Sequence, residues 1–169
     1  MVEGLELVHN TLIGVNLRHK ISLGCAGKIV SGFDMARLIA LGADWCNSAR
    51  GFMFALGCIQ AQTCHTGNCP TGVTTQDPAR QESLVVSSKS DRVYNFHQQT
   101  LHALKELLQA AGLSKPKDIS PHHIIRRTKN GGVQSLAKQI HLQINNGALL
   151  EKLLENLPDV YKKFWADSD

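Results

Sequence analysis

The sequence predicts an α/β fold in its first half and a mainly helical region in its second. Two short apolar segments, Ile21–Ala26 and Ala43–Ser48, have the length of buried strands. Between them an amphipathic segment carries Met35, Leu38 and Ile39 at helical spacing, and a further helix-forming run follows the second strand. Strand, helix, strand, helix at this spacing is the βαβ pattern of a parallel sheet.

Each element has its own local reason. Leu5, Val8, Leu12 and Val15 recur at helical spacing with Glu6, His9 and Asn10 between them, which predicts a helix over 3–18 with His9 and Asn10 on a solvated face. Ile21–Ala26 then runs into Gly27-Lys28-Ile29-Val30-Ser31-Gly32, whose two glycines allow a tight turn at the strand end. Ser31 is the expected N-cap of a helix from Asp34 to Leu41, with Gly42 as its stop. Ala49-Arg50-Gly51 ends the second strand, and Phe52 to Gln60 is the next expected helix. Thr71 to Lys89 is polar and predicted irregular. Ser90-Asp91 is the expected cap of a long helix over 92–111, buried along Val93, Phe96, Leu101, Leu104, Leu108 and Ala111 and ended by Gly112. Ser114–Lys117 reads as a linker, and Ser120-Pro121 as an N-cap with proline at the first position of a short helix through Ile125. Asn130-Gly131-Gly132 is a turn, 133–145 and 148–157 are expected helices, and the last dozen residues are expected to fray.

Composition narrows the function classes. A chain of 169 residues with 43% hydrophobic and 19% charged residues can bury a real core as one domain. The net charge of +4 is modest, the basic residues are scattered apart from Arg126-Arg127-Thr128-Lys129, and few aromatic residues are present for base stacking, so no nucleic-acid partner is expected. The start has no signal-peptide pattern and no run is long enough to span a bilayer, so no membrane role is expected. An odd cysteine count without an export signal points to the cytoplasm, where clustered cysteines bind metal or act in chemistry more readily than they form disulfides.

The chemistry concentrates in Gly57–Pro70. Three of the five cysteines, Cys58, Cys64 and Cys69, lie here as C-x5-C-x4-C, and Thr66-Gly67-Asn68 turns the chain between the last two. Thiolates on a turn-rich loop suit a metal or an iron–sulfur centre. Zinc would need a fourth ligand, His65 or Cys46, and buried free thiols beside the apolar Phe52–Leu56 run are the plain alternative. Upstream, two strand ends each feed a helix through a glycine-containing turn. Such turns present backbone N–H groups to an anion, and Arg50 adds a planar cation, which makes a phosphate cradle. By itself Lys28 reads more readily as a solvated lysine than as a cofactor contact, and the adjacent His122 and His123 as surface residues, since neighbours on a helix do not face one point.

In order, these pieces resemble the FMN-binding domain of the glutamate synthase family, most closely its shorter members. The resemblance is densest from Gly4 to Gln81, in Gly27–Asp34, Leu41-Gly42-Ala43-Asp44, Cys46–Gly51, Ala55–Cys64 and Asn68–Val73, and looser after residue 90. It implies the C-terminal portion of a (β/α)8 TIM barrel, strands seven and eight, over residues 1–89, and a helical C-terminal extension over 90–169. It implies that Cys58, Cys64 and Cys69 hold a 3Fe–4S cluster, and that the FMN phosphate lies at Gly27, Lys28, Ala49 and Arg50. The large members of the family carry Gly-Gly and Gly-Thr where this chain has Gly27-Lys28 and Ala49-Arg50; arginine after a small residue resembles other FMN barrels. The implied chemistry passes electrons between cluster and FMN and reduces a 2-imino acid formed from 2-oxoglutarate and ammonia or glutamine-derived nitrogen. A whole barrel takes about 250 residues. Strands one to six, with the substrate-binding residues, are expected to be missing from this chain, which reads as a C-terminal fragment that either is an inactive remnant or works with a separate N-terminal barrel part or an electron-donor subunit, and no residue here is assigned as catalytic. The chain alone is expected to bind FMN poorly.

Overall fold

The computed structural model describes residues 2–140, 143–151 and 157–165. Helix α1, Val2–Gly14, presents Leu5 and Asn10 to the interior. It ends at Gly14, short of the predicted 18, because a turn with Asn16 in the left-handed region (φ 54°) diverts the chain. Strand β1, Gly24–Ala26, and strand β2, Trp45–Asn47, pair in parallel, with Cys25 opposite Cys46 and Ala26 opposite Asn47. Helix α2, Gly32–Ala40, is the crossover between them. The parallel βαβ unit is therefore present, with strands only three residues long.

Ser31 caps α2 as predicted. Its Oγ accepts from the Asp34 backbone N–H at 3.2 Å, and the Asp34 carboxylate accepts from the Ser31 N–H at 3.0 Å, a reciprocal capping box. Leu38 is fully buried and Ile29 nearly so, each stabilising the fold by about 1.5–3 kcal/mol. They belong to one core that joins Leu5 of α1, Cys25 of β1, Ala36 and Leu38 of α2, and Leu104 and Leu108 of the long helix that follows. Helix α3 spans Arg50–Leu56, α4 is the single turn Pro78–Gln81, and α5 is Val86–Ala110.

The contact of α2 with α5 is close enough to require glycine. A Cβ at Gly32 would stand 2.7 Å from the Leu104 backbone nitrogen and 3.0 Å from the Thr100 carbonyl oxygen. Gly42 is required twice over: its φ of +105° disfavours any side chain, and a Cβ there would run into the His9 ring.

Several sequence expectations are corrected. His9 and Asn10 are not a solvated face: Asn10 is buried, donating from Nδ2 to the Glu6 carbonyl at 2.8 Å, and His9 packs on Gly42. The loop after α2 folds back over that face. Helix α5 starts at Val86, before Ser90-Asp91, with Val85 as a cap that offers no side-chain bond. Of its expected stripe, Leu104 and Leu108 are buried and Val93 and Phe96 half-buried, but Leu101 and Ala111 are exposed. The region after α5 is less helical than predicted. Ser120-Pro121 leads into strand β3, Ile125–Arg127, which pairs antiparallel with β4, Val133–Ser135, across the Asn130–Gly132 turn. The β-branched residues at 124–125 and 133, joined by a glycine turn, outweigh the capping signal. The helix expected over 133–145 is thus replaced by β4 and one 3₁₀ turn, Leu136–Gln139, with 141–142 outside the described residues. Residues 148–151 form a turn where a helix is expected, and 152–156 lie outside the described residues. The expected linker contains a 3₁₀ turn, Pro116–Asp118, and the expected frayed end contains helix α6, Asp159–Trp165. Tyr161 of α6 is buried against Leu149 and Leu157, and its hydroxyl meets the Leu7 carbonyl at 3.4 Å, which anchors α6 on α1.

Candidate functional site

The site begins where β1 and β2 end. The register that sets Ala26 beside Asn47 makes both following loops leave from one end of the sheet. Gly27 (φ 136°) and Lys28 (φ 53°) both take positive φ, so β1 turns sharply before Ile29 plunges into the core. The Ser48 hydroxyl donates to the Ile29 carbonyl at 2.6 Å and ties the second loop to the first. Ala49 and Arg50 follow at once as the start of α3. Ala49 makes no side-chain cap, which leaves the first backbone N–H groups of α3 without a side-chain acceptor. Lys28 and Arg50 are both exposed. The structure thus brings Gly27-Lys28 and Ala49-Arg50 to the same end of the sheet.

Helix α3 is held down by α5. A Cβ at Gly51 would stand 2.6 Å from Phe96 Cζ, and Phe52 packs edge-on against Phe96 with ring centroids 5.2 Å apart. The helix stops at Gly57 and not at the predicted Gln60. Gly57 is left-handed (φ 109°), and the Cys58 N–H reaches back to the Met53 carbonyl at 3.0 Å. That stop delivers the chain into the cysteine loop, where Gln60 and Gln62 also take positive φ and Cys64–Thr66 form a 3₁₀ turn closed by left-handed Gly67.

Cys58, Cys64 and Cys69 line one small cavity with Met53, Thr71 and Thr74. The Gln60 N–H approaches Cys58 Sγ at 3.5 Å, and Thr71 Oγ1 lies 3.5 Å from Cys69 Sγ. Cys69 is buried, yet hydrogen bonds from the Thr71 side chain and the backbone at Thr74 and Thr71 bring its thiol down to about 6. A thiol so lowered is largely thiolate near neutral pH, the form that binds metal. The strand cysteines behave oppositely: burial pushes Cys46 up to about 11, and raises Cys25 as well.

Neither His65 nor Cys46 lines the cysteine cavity. Among the described residues no group of three or more His, Cys, Asp or Glu side chains is arranged to hold a single metal ion. Three thiols around one space, without a converging fourth ligand, fit a cluster whose irons take one thiolate each better than they fit tetrahedral zinc.

The segment read from sequence as irregular turns out to buttress this loop. Thr75 is buried and its hydroxyl donates to the Gly67 carbonyl; Arg80 reaches the Asn68 carbonyl at 3.3 Å. Gly72 (φ 75°) abuts the Arg80 carbonyl oxygen, so the backbone crossing there admits no side chain. The signal available in sequence was the threonine-rich run Thr71–Thr75 directly after Pro70, whose hydroxyls can bond backbone locally.

A family model described as a conserved region in glutamate synthase matches residues 1–114. This chain belongs to the glutamate synthase family. It is 37% identical over 141 residues to the glutamate synthase large subunit-like protein YerD of Bacillus subtilis, covering 83% of this chain and 27% of that protein. It is 34% identical over 110 residues to an archaeal-type glutamate synthase [NADPH] of Thermotoga neapolitana, covering 65% of this chain and 22% of the relative. With a ferredoxin-dependent glutamate synthase of Antithamnion sp. it shares 31% identity over 152 residues, 84% of this chain and 10% of the relative. The chain therefore spans little more than a quarter of the length of the first of these relatives, and less of the others. Among the described residues no helix is long and apolar enough to cross a membrane.

Proposed function

We propose that this chain is a fragment of a glutamate synthase-type oxidoreductase: strands seven and eight of an FMN-binding (β/α)8 barrel over 1–89, followed by an extension over 90–169. The observation that carries the reading is continuity: a parallel strand pair delivers Gly27-Lys28 and Ala49-Arg50 to one edge, and α3 leads from that edge into the three-cysteine cavity. In this reading backbone N–H groups at Gly27, Lys28, Ala49 and Arg50 hold the FMN phosphate, and the Arg50 guanidinium and Lys28 ammonium offset its charge. Cys58, Cys64 and Cys69 are the thiolate ligands of a 3Fe–4S cluster, with the Thr71 hydroxyl holding Cys69 in its thiolate form. When bound, the cluster supplies one-electron transfer and FMN supplies hydride transfer to a 2-imino acid formed from 2-oxoglutarate and ammonia or glutamine-derived nitrogen. The protein's part here is binding and orientation; no side chain in the described residues is assigned as a proton donor.

The proposed compartment is the cytoplasm, and two features support work with further chain, either a separate N-terminal barrel part or an electron-donor subunit. Gly24, Ala26, Trp45 and Asn47 are exposed on one face of the sheet, and Trp45 is half exposed although its ring covers Gly24. A two-stranded sheet of this length gains little stability by itself.

Anaerobic purification with iron, acid-labile sulfide, zinc and flavin analysis tests the reading. Iron and sulfide near three and four per chain, with weak flavin binding that strengthens when an N-terminal barrel part is supplied, is the expected result. Colourless protein with stoichiometric zinc refutes it, and tight stoichiometric FMN on this chain alone refutes the fragment part of it.

A further inference from the structure

Thr74 lies on the wall of the cysteine cavity, beside Cys69. Its Oγ1 is buried and has no hydrogen-bond partner, a condition shared among the described residues only with Arg37 Nε. Burying a hydroxyl unpaired costs about 1–3 kcal/mol, so such an atom at a cavity wall calls for something in the cavity that receives it. The neighbouring hydroxyls are already engaged. Thr63 Oγ1 donates to the Asn68 carbonyl, Thr66 Oγ1 to the Thr63 carbonyl and Thr75 Oγ1 to the Gly67 carbonyl, while Thr71 Oγ1 stands at Cys69 Sγ. Thr74 Oγ1 is near enough to Cys69 to favour its thiolate weakly, but not placed for a hydrogen bond of ordinary geometry to it. No acceptor of ordinary geometry holds the Thr74 proton, and Thr74 shares its cavity wall with Cys58, Cys64 and Cys69.

We infer that Thr74 is a potential-setting residue, its hydroxyl donating a hydrogen bond to a sulfide of the iron–sulfur cluster held by Cys58, Cys64 and Cys69. This rests on the cluster reading above. The redox step adds one electron, supplied by an external one-electron reductant; no bond breaks, and the hydroxyl proton stays on Oγ1. The added electron raises the negative charge on the sulfides, so a donor there stabilises the reduced form more than the oxidised one.

The test uses the full chain, purified anaerobically, as wild type, Thr74→Val and Thr74→Ser. Valine keeps the shape and removes the donor; serine keeps the donor. Mediated titration with dithionite, followed by electron paramagnetic resonance, reads the midpoint potential. Reduction of the valine variant is expected to be about tenfold less favourable, a fall of about 59 mV for a one-electron couple, with the serine variant close to wild type. An unchanged potential in a cluster-bearing valine variant overturns the inference and leaves the cluster reading intact. Wild-type chain without iron and sulfide overturns the cluster reading itself, and this inference with it. Where the valine variant loses its cluster, the comparison passes to Thr74→Ala, and an alanine variant that holds the cluster at the wild-type potential refutes the inference.

Discussion

Replacing Arg18 by alanine should loosen the base of the parallel sheet. Its guanidinium donates from Nε to His9 Nδ1 at 3.0 Å, from Nη1 to the Ile21 carbonyl at 2.7 Å, and from Nη2 to the Gly42 carbonyl and the Asp44 carboxylate, both at 2.8 Å. Asp44 in turn accepts from the Leu23 backbone N–H at 2.6 Å, just before β1. One side chain therefore links the exit of α1, the approach to β1, the loop after α2 and the approach to β2. The bonds to His9 and Gly42 are partly buried and count at about 1–2 kcal/mol each. Those to Ile21 and Asp44 are exposed and together add about 0–1 kcal/mol. Arg18→Ala should cost about 2–5 kcal/mol by these magnitudes. Arg18→Lys should recover less than half, because an ammonium is a compact charge without the planar fork these four acceptors require. Urea unfolding followed by circular dichroism measures it, as a lower midpoint with an unchanged slope. A loss under about 0.5 kcal/mol, the range of an ordinary surface substitution, would refute the reasoning.

Three further outcomes are expected. The Arg18 bond needs an unprotonated His9 Nδ1, and burial, then the Arg18 charge, hold the His9 pKa below 6.5 against the pull of Asp44. As pH falls through 6.5 the unfolded chain takes up its proton first, so stability drops from there until folded His9 protonates too; urea midpoints across this window should slope in wild type and flatten in His9→Gln. Gly32→Ala should destabilise by about 1–3 kcal/mol, read as a lower melting temperature, because its Cβ meets α5 backbone that cannot step aside. Cys58→Ala, Cys64→Ala and Cys69→Ala should each abolish bound iron and sulfide in elemental analysis of anaerobically prepared protein, whereas Cys46→Ala should retain both.

The parts of the fold legible in the sequence were those with a local chemical cause. Ser31 is the expected N-cap and completes a capping box with Asp34, Gly42 stops α2, and the apolar runs around Cys25 and Cys46 pair as strands. The three cysteines were legible as a group from spacing, and the fold lines them along one cavity. What escaped was set by partners distant in sequence. Asn10 looks solvent-facing until the chain returns to cover it, and Ser120-Pro121 looks like a helix start until Leu136 donates its N–H to the Ile124 carbonyl. Thr75 and Arg80 looked like irregular loop, because their partners are carbonyls of the cysteine loop, which carry no sequence signature.

Helix α3 has a length that evolution cannot adjust freely. It is pinned at its start by Gly51 against Phe96 and at its end by the left-handed Gly57, seven residues in all. Inserting one residue would advance everything beyond it by about 1.5 Å and swing it by about 100°. Cys58 would then leave the wall it shares with Cys64 and Cys69, even with every side chain of the loop unchanged. Insertions should therefore be absent between Arg50 and Cys58 among natural variants of this chain, and tolerated at the exposed Lys129–Gly131 turn, where nothing downstream depends on helical phase.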